Sequence, residues 1–187
     1  GNGISESIIR SITGTDGNEA LNISVPPETN YNENILSVES SVNIKGGTSN
    51  TSIGGAGVYG VNFTLNNNGS IWGGDGYNGG VAVSGNEILI RNYRNVYGGN
   101  GLGGSGSSGG AGLSGDDIIV DNYRSIYGGD DVGGTGGSGV TGSNITVHNS
   151  GGILGGNGVN GGDGINGSNL FITNDNMISG GYGIKQG

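Results

Sequence analysis

Five copies of a single pattern limit how this chain can fold. Each reads Φ-x-Gly-x-x-Φ-x-Φ-x-Asn-x-x-x-Φ-x-Gly, with Φ an apolar residue, and the copies begin at Val58, Val83, Leu113, Val140 and Ile165. Every copy reaches its Asn nine positions on, at Asn67, Asn92, Asn122, Asn149 and Asn174, and its closing Gly fifteen positions on, at Gly73, Gly98, Gly128, Gly155 and Gly180. Successive copies start 25, 30, 27 and 25 residues apart, so the length variation lies outside the pattern. A unit of this kind carries about four apolar side chains worth ~1.5–3 kcal/mol each when buried, against ~1–2 kcal/mol of backbone entropy for every residue ordered. One copy cannot fold alone, and the repeat therefore predicts a stacked solenoid with special ends.

Ahead of each Asn the apolar residues alternate with a period of two: Phe63 and Leu65, Ile88 and Ile90, Ile118 and Val120, Ile145 and Val147, Leu170 and Ile172. That spacing is a strand with one face inward. The residues between them, Thr64, Leu89, Ile119, Thr146 and Phe171, mix polar and apolar groups, as an outer face would. The same parity turns the Asn inward, where five stacked carboxamides can hydrogen-bond along the axis or to corner backbone. A second, short strand centres on Ile71, Val96, Ile126, Ile153 or Ile178. Gly60, Gly85, Gly115, Gly142 and Gly167 mark further corners. No helix-period segment occurs. The expected fold is all-β: a right-handed parallel β-helix of about six coils of 25–30 residues with Gly-rich loops, its hand taken from the general chirality of parallel crossovers.

The Gly-rich stretches, such as 98–111, are expected to be ordered at the start of each Gly pair and to bulge outward in the two longest repeats. A sixth, degenerate copy precedes the five, with Tyr31 at its start, Leu36, Val38 and Ile44 in apolar places, Ser40 in place of Asn, and Gly46 closing it. Residues 1–30 fall outside the pattern. There Ile4, Ile8, Ile9 and Ile12, then Leu21, Ile23 and Val25 stopped by Pro26-Pro27, predict an N-terminal capping segment or irregular first coil over the exposed sheet edge. Residues 31–187 hold the β-helix repeats, with the C-terminal coil truncated after Gly183-Ile184.

With 48 Gly among 187 residues, composition alone would place the chain among low-complexity segments, and the periodicity overrides that placement. A net charge of −9 with six Lys or Arg argues against nucleic acid or anionic membrane as partner. The absence of Cys excludes a disulfide framework and a thiolate metal site. No apolar run is long enough to cross a membrane, and no basic-then-apolar leader opens the chain.

The stretch Gly-Ser-Asn-aliphatic-x-aliphatic-x-Asn at 142–149, followed by Gly-Gly-Ile-Leu-Gly-Gly-Asn-Gly at 151–158, resembles the passenger regions of bacterial autotransporters. The likeness extends to 167–174 and, more loosely, to 31–187. It implies a right-handed β-helical passenger fragment, exported through a C-terminal β-barrel and displayed on or released from a Gram-negative cell surface. Many such passengers are adhesins, self-associating proteins or binders of host matrix. Neither a signal peptide nor a translocator barrel is visible in this sequence.

Catalytic groups are sparse. The one His, His148, stands where other copies have Arg91 and Asp121, and without a partner constellation it reads as a surface residue. Gly104-Ser105-Gly106 lacks the strand-to-helix setting of a nucleophile elbow. Asp116-Asp117 on a strand would point to opposite faces, and the loop pair Asp130-Asp131 reads as solvated. Gly-Gly-Asp-Gly at 73–76 and 161–164 departs from the calcium nonapeptide, because Asn78, Asn160 and Asn166 stand where it needs Asp. No catalytic residue, metal site or cofactor is expected. The strongest binding candidates are aromatic. Trp72, Tyr97 and Tyr127 share one repeat position, and Tyr93-Arg94 and Tyr123-Arg124 share another, so both sets should form stripes spaced by about 4.8 Å. They read first as inter-coil stacking and second as a platform for sugar rings or a protein, with Arg94 and Arg124 as planar donors.

These features point to a non-enzymatic adhesion or self-association module presenting loops and aromatic stripes to a host-surface protein, a glycan or a neighbouring chain. Two other classes compete: a Gly-rich receptor-binding tip of a phage or secreted adhesin, and a β-helical polysaccharide-processing enzyme.

Overall fold

The computed structural model describes residues 2–184, and every regular element among them is a strand. The long strands Val58–Asn67, Val83–Asn92, Leu113–Asn122, Val140–Asn149 and Ile165–Asn174 pair in parallel without a register slip, so Asn67 lies over Asn92, Asn122, Asn149 and Asn174 in turn. The short strands Ser70–Trp72, Asn95–Tyr97, Ser125–Tyr127, Gly152–Leu154 and Met177–Ser179 stack the same way in a second sheet. Between the two sheets runs a continuous aliphatic core, with Phe63, Leu65, Ile71, Ile90, Val120, Ile126, Val147 and Ile153 wholly buried. The chain is a parallel β-solenoid, as the repeat requires.

The long strands are bent. Asn62, Glu87, Asp117, Asn144 and Asn169 hold φ of 57, 56, 55, 53 and 56° at one repeat position, a left-handed kink that Asn and Asp accept more readily than most residues. The kink absorbs the change of parity between the inward residues before it (Val58) and after it (Phe63, Leu65). It also turns Asp116 and Asp117 both outward, where alternation would have separated them. Their carboxylates join an external ladder. Asp116 Oδ1 accepts from Ser143 Oγ at 2.6 Å, and Asp117 Oδ1 accepts from Asn144 Nδ2 at 3.1 Å.

The Gly-rich side is ordered at both ends of each stretch. The pair that closes a copy, such as Gly128-Gly129, faces the pair that precedes the next long strand, such as Gly136-Gly137. Their backbones bond alternately across and along the axis: Gly181 N donates to Gly162 O, Gly162 N to Gly156 O, Gly156 N to Gly137 O, Gly137 N to Gly129 O and Gly129 N to Gly110 O, all at 2.8 Å. The zigzag continues through Gly99, Gly80, Gly74, Gly55 and Gly47 to the carbonyl of Asn18. A Cβ on Gly129 would land on the carbonyl of Gly99, so the column admits no side chain. It pinches each coil at a waist. On one side lies the aliphatic core, and on the other a small lobe bridged in parallel from Gly76 through Gly101, Asp131 and Gly158 to Gly183. The unequal repeat lengths are confined to one corner of that lobe: Asn78 alone, residues 103–108, residues 133–135, and Asn160 alone.

At the N-terminal end the structure alters the expected register. Ile44 pairs with Ile71 as the degenerate copy requires, but Leu36 lies beside Leu65 and Val38 beside Asn67. The corner between Val38 and Ile44 is two residues longer than in the other copies, so Val38 and not Ser40 stands at the Asn position. The shift is even, and both apolar side chains still face inward. Tyr31 does not open this coil either. Leu21–Ile23 pairs with Val58–Gly60, and the chain then loops out through Pro26-Pro27 before returning at Ile35. That excursion lies over the outer face of the long strands, where Thr64 Oγ1 donates to Tyr31 O at 2.7 Å. Thr64 is buried for this reason, although its sequence position reads as outward. Ser5–Ile8 and Ile12–Thr13 form a further coil beneath Ile35–Val38 and Asn43–Lys45.

Candidate functional site

Inside the corner after each long strand the Asn side chains form a ladder. Asn67 Nδ2 donates to Asn92 Oδ1, Asn92 to Asn122, Asn122 to Asn149 and Asn149 to Asn174, at 2.8–2.9 Å. Each of these four donor amides also donates to a carbonyl of the next coil, as Asn92 does to Ser125 O at 3.1 Å, whereas Asn174 donates to Asn176 O in its own coil. Buried polar atoms are thereby satisfied, and the role is structural.

The waist creates a straight groove along the axis with a volume of about 650 Å³. Its floor is the first Gly pair of each coil. One wall is the end of the second sheet, with Lys45, Trp72, Tyr97, Tyr127, Leu154 and Ser179 in register. The other wall, two positions beyond each Gly, carries Asp75, Asn100, Asp130, Asn157 and Tyr182. At one coil per ~4.8 Å, the six rows extend roughly 24 Å.

The Asx wall is itself a ladder with half of its capacity unused. Asn100 N donates to Asp75 Oδ1 at 2.9 Å, Asp130 N to Asn100 Oδ1 at 3.0 Å, Asn157 N to Asp130 Oδ1 at 2.7 Å and Tyr182 N to Asn157 Oδ1 at 2.8 Å. The bonds fix each side chain through Oδ1. Asp75 Oδ2, Asn100 Nδ2, Asp130 Oδ2 and Asn157 Nδ2 remain, an alternation of acceptor and donor.

The opposite wall departs from a sugar platform. Trp72 and Tyr97 stack with centroids 5.2 Å apart and planes 13° from parallel, and Tyr97 and Tyr127 with 5.2 Å and 6°. Parallel rings this close leave no gap for a third ring, so the groove receives ring edges and hydroxyls instead of open faces. Tyr93 and Tyr123 form a second stack, at 5.1 Å and 2°, on the exposed corner beside Arg94 and Arg124. Burial, and then the neighbouring Tyr127, push the Tyr97 hydroxyl above the ordinary phenol value, with Arg94 opposing. The fold thus favours neutral Tyr97. This contribution is complete below about pH 10, the ordinary phenol value, and is lost as pH rises through the raised one. Tyr97→Phe is therefore expected to melt like the parent at pH 7 and to lose less stability above about pH 10. Tyr97→Ala, which removes two ring contacts of ~0.5–1.5 kcal/mol each, should cost about 1–3 kcal/mol in thermal unfolding at pH 7.

Two other titratable groups have partners that their sequence positions do not show. His148 is exposed but partnered, its Nδ1 lying 2.8 Å from Asp121 Oδ1, with Arg91 Nε 3.9 Å from Asp121 Oδ2. Asp131, expected to be solvated, is 1% exposed because it occupies the inward place that Gly76, Gly101 and Gly158 hold in other coils. Its Oδ2 accepts from Ser107 Oγ at 2.5 Å and its Oδ1 from Gly133 N at 3.0 Å. Among the described residues no group of three or more His, Cys, Asp or Glu could hold a metal ion. Asp75 and Asp130 share one wall of the groove, so they do not flank a bond as paired glycosidase carboxylates do.

The Asx wall lies beyond the sixteen-position pattern, which closes at its Gly. Four further places nonetheless repeat: Gly-Gly-Asp-Gly-Tyr at 73–77, Gly-Gly-Asn-Gly-Leu at 98–102, Gly-Gly-Asp-Asp-Val at 128–132, Gly-Gly-Asn-Gly-Val at 155–159 and Gly-Gly-Tyr-Gly-Ile at 180–184. Extending the pattern by those places is the signal that would have found the wall. The last place forms an apolar row outside the small lobe, with Leu102 and Val132 69% and 77% exposed.

Fold and site together define a parallel β-solenoid with a polar cleft along its axis. Comparison with family models, curated proteins and solved structures gives no match.

Proposed function

We propose that this chain is a non-enzymatic binding module whose axial groove holds an extended ligand at a cell surface. The observation that carries the reading is the row of fixed yet unspent polar groups on Asp75, Asn100, Asp130 and Asn157. A wall pre-organised by its own backbone bonds loses little entropy when a ligand pairs with it. The uninterrupted register of the coils favours a linear ligand over a compact one. The likeness of 142–149 and 151–158 to autotransporter passengers supports an extracellular setting on a Gram-negative bacterium, as part of a right-handed β-helical adhesin that meets host or neighbouring-cell ligands. Among the described residues the carboxylates that line the groove, Asp75 and Asp130, stand on one wall, which supports binding over turnover.

The test is adhesion of the purified chain to immobilised host-cell and bacterial surfaces, with Asn100→Trp filling the middle of the groove. Asn100 is exposed, so the substitution should leave the strand circular dichroism intact. Surface binding is expected to fall about tenfold or more, in line with the loss of one or two polar contacts. Undiminished binding by the folded variant would remove the groove from the function.

A further inference from the structure

We infer that the occupant of the groove is a neutral polysaccharide of equatorially 1,4-linked pyranoses, of the cellulose, chitin or mannan kind, lying with its chain along the solenoid axis. This rests on the groove reading above and names its ligand class.

Periodicity and charge carry the argument. The Asx wall repeats in identity every second coil: Asp75 and Asp130 offer a free carboxylate oxygen, and Asn100 and Asn157 a free amide. Like groups therefore recur at two coil rises, about 9.6 Å, with the opposite kind midway. An extended equatorial 1,4-linked chain advances by nearly one coil rise per residue and turns over at each step. It thus presents the same edge every second residue, and its hydroxyls can donate to Asp75 and Asp130 and accept from Asn100 and Asn157 with only a small drift over these four rungs. A peptide strand, at about 3.3 Å per residue, falls out of register within one coil. Polyanions such as nucleic acid or uronate polymers would meet two carboxylates on a chain of net charge −9. The aromatic wall fits the same ligand by its edges. The Tyr97 and Tyr127 hydroxyls and the electropositive ring rims suit a row of sugar oxygens, whereas the faces stacked between Trp72, Tyr97 and Tyr127 leave no gap for a sugar ring.

The test uses the whole chain in titration calorimetry with cellohexaose, chitohexaose and mannohexaose, against maltohexaose for the α-linked geometry and laminarihexaose for the 1,3 linkage. At least one of the β-1,4 hexamers is expected to bind roughly tenfold or more tightly than both controls, and than its own disaccharide. The double variant Asp75→Asn, Asp130→Asn keeps an oxygen at each ladder position and the groove shape while making the wall all amide. It should weaken the preferred hexamer about tenfold or more, and Asp163→Asn, outside the groove, should not. Equal affinity for all linkages, no gain with length, or an unmoved double variant would overturn the inference. The linkage and length series on the parent chain decides the matter even if the double variant fails to fold. Binding of a different ligand that Asn100→Trp abolishes would sink this ligand class and leave the groove reading standing. Absence of any surface or glycan binding would sink both.

Discussion

Gly129→Ala is expected to abolish the folded state or to cost more than about 4 kcal/mol, a large share of the ~5–15 kcal/mol that holds a domain together. Gly129 N donates to Gly110 O and its carbonyl accepts from Gly137 N, both at 2.8 Å, and a Cβ would collide with the Gly99 carbonyl. No flexible side chain can yield there, because the obstacle is backbone on a neighbouring coil. Relief requires the coils to part, which also breaks the sheet bonds on either side. The control is Gly104→Ala in the variable corner. Gly104 has φ of 89° but nothing within 4 Å of an added methyl, so only the conformational penalty of roughly 1–2 kcal/mol applies. Urea unfolding followed by circular dichroism compares the two. A Gly129→Ala protein as stable as Gly104→Ala would show that the column tolerates a side chain after all.

Asn122→Ala, at a buried interior rung of the Asn ladder, should cost about 2–4 kcal/mol. Asn122 Oδ1 accepts from Asn92 Nδ2 at 2.9 Å, and its amide donates to Asn149 Oδ1 at 2.8 Å and Gly152 O at 3.0 Å. Truncation leaves these buried groups short of partners, at about 1–3 kcal/mol apiece, although Asn92 keeps its bond to Ser125 O and Asn149 Oδ1 keeps a 3.3 Å bond from Gly151 N. Asn174→Ala, at the exposed last rung, should cost less, because water can replace its bonds. Equal losses at both positions in the same unfolding experiment would mean that burial does not set the value of a rung.

Much of the fold was legible because stacking converts sequence register directly into spatial register. Phe63 over Ile88 and Asn67 over Asn92 follow from equal offsets within each copy. What stayed hidden depends on contacts between segments that share no pattern. The left-handed residues at Asn62 and Asp117 differ in type from copy to copy, and the kink they share is a backbone property. Val38 opposite Asn67 results from a longer corner that counting back from Ile44 does not detect. Burial of Thr64 depends on where the excursion around Tyr31 comes to rest.

The candidate site divides in the same way. The shared position of Trp72, Tyr97 and Tyr127 could be read from offsets, but whether their faces or edges meet solvent could not. Coil rise decides that, holding ring centres 5.2 Å apart. The groove required the Gly pairs to be seen packing against each other, since it exists only because the coil is pinched there. The sequence by itself determined the strands, their order, the inward Asn residues and a solenoid axis, because these are local periodicities multiplied by stacking. The tertiary structure alone decided the waist, the buried place of Asp131 and the two walls of the cleft. Those arise where distant Gly backbones approach to hydrogen-bonding distance, and a residue without a side chain leaves no hydrophobic pattern to announce what it will touch.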